Sequence, residues 1–173
     1  MISSDANLGD VSGGLAFAGG TLAVTDTIVS ARALSLATDG GTVSVASGKS
    51  YTLLNAVNNQ AAATGTLTKS GDGTLVLAAT NSYSGGTNIL GGTLQLGNGT
   101  AGHDGSILSD IDNNASLVVA NLGATVFQSH ISGTGSLTQS GTGVLTLSGY
   151  NDYSGGTYLL AGTVSVAQEQ NLG

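Results

Sequence analysis

The chain has 173 residues, with 29 glycines, no proline, cysteine or tryptophan, and only 8% charged residues. Its net charge of −7 excludes nucleic acid and anionic membranes as expected partners, because both would be repelled. A hydrophobic content of 40% argues against a disordered linker, and the lack of cysteine excludes a disulfide framework and cysteine-based zinc sites.

Short alternating runs begin near the start of the chain. Residues 21–24 read TLAV, and residues 42–45 read TVSV. Leu or Val occupies every second position, while Thr, Ser or Ala occupies the others. This period of two predicts strands with one apolar face.

The first long repeat copy covers about 64–96 and includes SGDGTLVLAATNSYSGGT at 70–87. Within it, TLVL at 74–77 recurs as TLQL at 93–96. Equivalent strands about 20 residues apart are typical of successive coils, so these two are expected to pair in parallel and in register.

The stretch 97–114 is the loosest part of the sequence. It contains GNGTAGHDG followed by the acidic run DIDNN. This composition predicts a bulging loop or an irregular coil, and the stretch is the only plausible internal boundary.

The second copy covers about 134–166. Its segment SGTGVLTLSGYNDYSGGT at 140–157 agrees with 70–87 at eleven of eighteen positions, and the offset between the copies is constant. That long offset is interpreted as about three coils. ANLG at 6–9 also recurs as QNLG at 170–173, which suggests that the chain begins and ends at one phase of the repeat.

Together these periods predict an all-β fold, a right-handed, single-stranded parallel β-helix of about seven or eight coils that forms one block over 1–173. One coil cannot bury its own apolar face, but stacked coils can. An antiparallel sandwich or barrel is the structural alternative, although hairpins would mirror neighbouring strands rather than translate them.

Two groups of structural residues follow from the repeat. The inward core positions are Leu75, Leu77, Leu94, Leu96, Leu145 and Leu147. The bends are expected at residues shared by the two copies, where Asn and Gly tolerate left-handed backbone and each Tyr covers the end of an aliphatic column. These are Asn81, Tyr83, Gly85, Gly86, Asn151, Tyr153, Gly155 and Gly156.

The module SG-G-L-L, N-Y-SGGT and L-GT resembles the autotransporter-associated β-strand repeat, also called the passenger-associated transport repeat. The resemblance implies a type V secreted passenger, attached in the full chain to its own outer-membrane barrel domain. It implies an extracellular or cell-surface location on a Gram-negative bacterium, reached through the periplasm and outer membrane. It also implies a role in display, adhesion or virulence.

The sequence gives only weak signs of a metal-binding or nucleophilic site. SGDGT at 70–74 approaches a calcium-binding β-roll repeat, but Asp72 is replaced by Thr142 in the second copy, which leaves too few carboxylates. SYSGG at 82–86 lacks the spacing of a nucleophile elbow. We therefore expect no metal site and no cofactor.

Catalytic groups are equally sparse. His103 and His130 are expected to be ordinary surface residues. The acidic cluster of Asp104, Asp110 and Asp112 resembles the carboxylates of a polysaccharide hydrolase, but no aromatic or basic groove accompanies it. The sequence predicts a non-enzymatic protein without catalytic residues or a small-molecule substrate.

Two functions remain as hypotheses. The first is a rigid extracellular stalk that aids secretion and folding outside the cell. The second is an adhesin or self-association module that uses polar flanks for cell–cell or host attachment.

Overall fold

The computed structural model describes residues 1–173 and is a parallel β-solenoid of about eight turns with almost no helix, which confirms the predicted fold class. Two short 3-10 helices, Asp5–Leu8 and Glu169–Asn171, lie near the ends, and no helix combines the length and hydropathy needed to cross a membrane. The strands are β1 (Leu15–Phe17), β2 (Thr21–Val24), β3 (Ile28–Ser30), β4 (Leu34–Leu36), β5 (Gly41–Val45), β6 (Ser50–Leu53), β7 (Val57–Asn59), β8 (Leu67–Ser70), β9 (Thr74–Leu77), β10 (Thr87–Ile89), β11 (Thr93–Leu96), β12 (Ile111–Asn113), β13 (Ser116–Val119), β14 (Thr125–Phe127), β15 (Ile131–Ser132), β16 (Ser136–Gln139), β17 (Val144–Leu147), β18 (Thr157–Leu159) and β19 (Thr163–Val166).

The strands stack into three sides. The six-stranded side has the order β15-β12-β10-β8-β5-β2, and the seven-stranded side has the order β18-β16-β13-β11-β9-β6-β3. The third, which we call the split side, consists of β1-β4-β7 and β14-β17-β19. All strand pairs are parallel and join neighbouring turns, as the translational repeat predicted.

The predicted pairing of TLVL with TLQL is confirmed. Thr74 pairs with Thr93, and the register continues to Leu77 with Leu96. TLAV at 21–24 pairs in the same way with TVSV at 42–45. The interior is one cluster of 29 buried hydrophobic residues that extends from Ile2 to Tyr153, because alternate residues of successive strands point inward. The last strands, β18 and β19, contribute no buried residue.

The split side is interrupted in the middle of the chain. Between β7 and β14 only an isolated bridge, Thr80 with Ser106, continues the ladder. No main-chain hydrogen bond joins residues 105–108 to 125–127. The cause is the loose stretch predicted at 97–114, of which residues 97–110 form no strand, while its end forms β12 on the six-stranded side.

The long offset between the two repeat copies, interpreted from sequence as about three coils, is three turns plus one further side. β8 lies on the six-stranded side, but its counterpart β16 lies on the seven-stranded side. In the same way, β9 lies on the seven-stranded side and β17 on the split side. The repeat copies are therefore three turns plus one side apart, because the three turns that start at Leu67 end at Ile131, six residues before the counterpart Leu137.

A buried arginine fixes the first residues to the solenoid. The Arg32 side chain is 2% exposed, and its Nε lies 3.1 Å from both carboxylate oxygens of Asp5. Its terminal nitrogens donate to the carbonyls of Gly9 and Gly13 at 2.6 and 2.9 Å, and also to those of Asp5 and Asp10. The guanidinium thus replaces a missing strand ladder at this end.

Candidate functional site: repeat turns and outer sides

The six leucines named from the repeat lie in the interior. None of them is more than 1% exposed. Leu75 stacks on Leu94 and Leu77 on Leu96 between β9 and β11, on the seven-stranded side. Leu145 and Leu147 instead face inward from the split side, where they stack on Thr125 and Phe127 of β14.

Asn81 and Asn151 join neighbouring turns through their side chains. The Asn81 Oδ1 accepts the backbone N–H of Val57 at 2.8 Å, and its Nδ2 donates to the carbonyl of Ser106 at 2.8 Å. Asn151 does the same, with Ile131 N–H at 2.9 Å and the carbonyl of Asn171 at 2.6 Å. Each buried amide therefore supplies the hydrogen bonds that a regular strand would have made.

Tyr83 and Tyr153 are buried core residues, each 1% exposed. The Tyr83 hydroxyl lies 2.7 Å from Thr87 Oγ1, and Tyr153 makes the equivalent bond to Thr157. Burial raises the pKa of both phenols, and the threonine hydrogen bond offsets part of this rise. The tyrosines thus fill the interior beside the bend and satisfy their polar atom within the same turn.

The paired glycines of the SGGT turn have two different tasks. At Gly85 a Cβ would lie 2.1 Å from the carbonyl oxygen of Thr64, so the two turns can approach only because no side chain is present. Gly155 is similarly close to the carbonyl of Gly135. Gly86, with φ +95°, instead adopts a left-handed backbone conformation that a side chain would disfavour.

A buried lysine in the first repeat was missed by the sequence analysis. Lys69 faces inward on β8 between Val43 and Ile89 and is fully buried. Its ammonium donates to the carbonyls of Ser70, Gly71 and Gly91 at 2.8, 2.7 and 3.0 Å. Desolvation lowers the pKa of Lys69 to about 8, although Asp72 opposes the shift.

In the second repeat, an amide replaces the lysine as the buried hydrogen-bond donor to the turn carbonyls. Gln139 is the counterpart of Lys69 and is 1% exposed. Its Nε2 donates to the carbonyls of Gly141 and Gly143 at 2.9 and 3.1 Å. The turn carbonyls after this strand point inward, so the preceding strand must carry a long donor side chain. The aligned inward positions of LTKS and LTQS were the available signal.

The three carboxylates of the acidic cluster close three separate turns. Asp104 accepts the N–H groups of Leu122 and Gly123 at 2.8 and 2.9 Å. Asp110 accepts the N–H of His130 at 2.9 Å, and Asp112 accepts from Asn114 at 2.7 Å. No group of three or more potential ligands is placed to hold a metal ion. This arrangement has the form of turn capping rather than of paired catalytic carboxylates.

The two histidines lie apart. His130 Nε2 is 2.8 Å from Asp152 Oδ1 on a partly exposed surface, and its ring lies 5.6 Å from that of Tyr150. Residues 98–103 form a loop that we call the protruding loop, and His103 closes it through its main chain, with its N–H donating to the carbonyl of Thr100 at 3.2 Å. The one hydrogen bond made by a histidine ring joins His130 to Asp152, whereas a nucleophilic triad requires a histidine ring bonded to a serine hydroxyl.

The outer sides carry aligned polar columns. On the seven-stranded side, one register position holds a hydroxyl in five successive turns: Ser50, Thr74, Thr93, Ser116 and Ser136. On the six-stranded side the equivalent column holds Thr21, Thr42, Thr68, Asn88, Asp112 and Ser132. Such columns place like groups one strand spacing apart, about 4.8 Å, and are the most regular solvent-facing feature of the chain.

An apolar groove of about 240 Å³ lies at the interruption of the split side. Ile107, Leu108 and Val126 line it together with Gln128 and Ser129. Leu108 and Val126 are 67% and 50% exposed. The groove is shallow and carries no titratable group, so it has no chemistry of its own.

Comparison with known proteins identifies two repeats in the chain. The model of the Passenger-associated-transport-repeat matches residues 67–96 and 137–166, which contain strands β8 to β11 and β16 to β19. The adhesin BmaC autotransporter of Brucella suis biovar 1 (strain 1330) is 44% identical over 138 residues, which is 80% of this chain. The chain spans only 4% of the length of that relative. No solved structure matches the chain significantly.

Proposed function

We propose that the chain, which carries two passenger-associated-transport repeats and is similar to an autotransporter, is a segment of an autotransporter passenger and acts as a rigid extracellular stalk that aids secretion. The observation that carries the proposal is the pairing pattern. Every strand bonds only to strands of the adjacent turns, and one hydrophobic cluster extends from Ile2 to Tyr153. A rod built in this way resists bending without a second domain.

The same pattern supports a role in export. A chain that crosses a narrow pore must cross unfolded, and a fold without distant contacts can grow turn by turn as residues emerge. Each new turn buries inward residues against the previous one, so folding outside opposes backward movement. We therefore assign the segment to the exported part of a protein displayed on a Gram-negative surface. A linked outer-membrane barrel domain would be its partner in translocation.

We propose further that the segment is not an enzyme. The histidines are separated, and each carboxylate of the acidic cluster already bonds a turn N–H or amide. The functional residues are then structural: the inward leucines, the bridging asparagines, the SGGT glycines and the buried donors Lys69 and Gln139.

The alternative is an adhesive role, which the polar columns favour. The Brucella suis autotransporter that the chain resembles is named an adhesin, although the matched region is a small part of it. Flat columns of hydroxyl groups at regular spacing could pair with a second copy on an opposing cell, or with a host surface, through many weak hydrogen bonds.

Display of the full autotransporter on intact cells tests the stalk proposal. Leu145→Asp places a charge at a fully buried position of β17, whereas Thr146→Asp places the same charge on the outer side of the same strand. We expect protease-accessible passenger at the surface to fall several-fold for Leu145→Asp alone. Equal display of both variants would contradict a role for turn-by-turn folding in export.

Aggregation of beads coated with the purified chain, and their binding to host cells, distinguish the adhesive alternative from the stalk proposal. The stalk proposal predicts that the beads stay dispersed and do not bind host cells. Aggregation that is lost on Thr93→Arg, at the centre of the hydroxyl column, would favour the adhesive role. Thr146→Arg, on another side, is the matched control.

A further inference from the structure

We infer that Asn98 and Gly99 form a self-modification site, at which the folded chain converts asparagine to aspartate and isoaspartate without an enzyme. The Gly99 nitrogen attacks the Asn98 side-chain carbonyl carbon and loses its proton, and the side-chain nitrogen leaves as ammonia to give a cyclic imide. Water then opens the imide at either carbonyl. The net change is one ammonia released and one water consumed, and it introduces one carboxylate.

The sequence singles out this position. Asn98 is the only asparagine in the chain that is followed by glycine. Glycine carries no Cβ, so neither its nitrogen nor the ring-closing rotation of the backbone is hindered. Asn81, Asn121 and Asn151, by contrast, are buried and use their amides to bridge turns. Their side chains are not free to cyclise.

The geometry of the protruding loop leaves the nucleophile accessible. Gly99 is exposed, with φ +75°, and a Cβ built on it would meet no atom within 4 Å. Its N–H donates to no protein acceptor. The attacking nitrogen therefore has no hydrogen bond within the protein to give up before it reacts.

The electrophile is polarised by its neighbour. Asn98 Oδ1 accepts the N–H of Thr100 at 3.0 Å and also its hydroxyl. Charge develops on this oxygen when the carbonyl carbon is attacked, and two donors aimed at it stabilise that charge. Asn98 Nδ2, the group that leaves, makes no hydrogen bond.

The base of the loop remains fixed during the reaction. Asn98 N–H donates to the carbonyl of His103 at 3.2 Å, and Asp104 holds Leu122 and Gly123 in the next turn. The modification therefore changes the loop tip and leaves the strand ladders intact. It adds one negative charge to the net charge of −7 and, in the isoaspartyl form, lengthens the main chain by one carbon.

Incubation of the folded chain near pH 8 tests the inference. We expect a mass increase of about 1 Da, one equivalent of ammonia, and isoaspartate mapped to the peptide that contains Asn98. Gly99→Ala should slow conversion by about tenfold or more because of the added Cβ. Circular dichroism and melting temperature should stay unchanged as the wild type converts.

The conversion rate of the denatured wild type is the reference that shows whether the fold permits the reaction. We expect the folded chain to convert within a few-fold of the denatured rate, and Thr100→Val to convert more slowly than the wild type when both are folded. A folded chain that stays unmodified while the denatured chain converts would overturn the inference. So would a Gly99→Ala chain that converts as fast as the wild type.

Discussion

The buried ammonium of Lys69 makes the stability of the solenoid depend on pH in an unusual direction. The folded-state pKa is about 8, below the ordinary value of 10.5 that applies in the unfolded chain. Between these two values the unfolded state binds one more proton than the folded state. The free energy of unfolding therefore rises with pH through this window, and the gain is absent below pH 8.

The size of the effect follows from the shift and the surroundings. The full difference of pKa corresponds to at most about 3 kcal/mol. Ser70, Gly71 and Gly91, whose carbonyls bind the ammonium, lie in half-exposed turns, so water screens part of the penalty. We expect a gain of roughly 1–2 kcal/mol between pH 8 and pH 10, because the rest of the change falls outside that window.

Lys69→Gln is the matched control, because it copies the donor that the second repeat uses at Gln139. Glutamine keeps an N–H donor for the turn carbonyls but does not titrate. Urea unfolding followed by circular dichroism, on both proteins from pH 7 to pH 10, gives the difference in unfolding free energy at each pH. Tyrosine ionisation affects both proteins alike and cancels. A difference that stays constant from pH 7 to pH 10 would refute the assignment of a depressed pKa to Lys69.

Three further predictions concern packing and ions. Leu145→Asp should lower the free energy of unfolding by about 4 kcal/mol or more, and Thr146→Asp by less than about 1 kcal/mol, because only the first buries an unpaired charge; chemical denaturation measures both. Gly85→Ala should lower the melting temperature clearly, since its Cβ would lie 2.1 Å from the carbonyl of Thr64, whereas Gly20→Ala, with no atom within 4 Å, should not. Calcium or a chelator should not move the melting temperature, because the acidic residues cap separate turns; a shift of several degrees would contradict this.

Sequence alone was sufficient for the local rules of this fold. Apolar and polar residues alternate within each run, which separates inward from outward positions. A short translational offset between similar runs favours parallel pairing over hairpins. The pairing of Thr74–Leu77 with Thr93–Leu96 therefore followed from pattern and spacing. These properties depend only on neighbours along the chain or one turn away.

Only the tertiary structure decided which side of the solenoid each repeat occupies. The turn that leads from Thr74 to its partner Thr93 is shorter than the turn that leads from Ser44 to its partner Ser70. Three turns that start at Leu67 end at Ile131, and the residues left over in the long offset carry the chain to the next side, where Leu137 lies. No pattern within a single repeat indicates the total length of the turns between the two copies.

The polar interior was hidden for a related reason. Lys69 and Arg32 are of residue types that usually lie on the protein surface. Their burial depends on backbone carbonyls that converge from different turns. The carbonyls of Gly71 and Gly91 belong to consecutive turns of the solenoid yet bind one ammonium. Period and hydropathy specify where strands lie, whereas the groups that must satisfy each turn become apparent only when the turns are stacked.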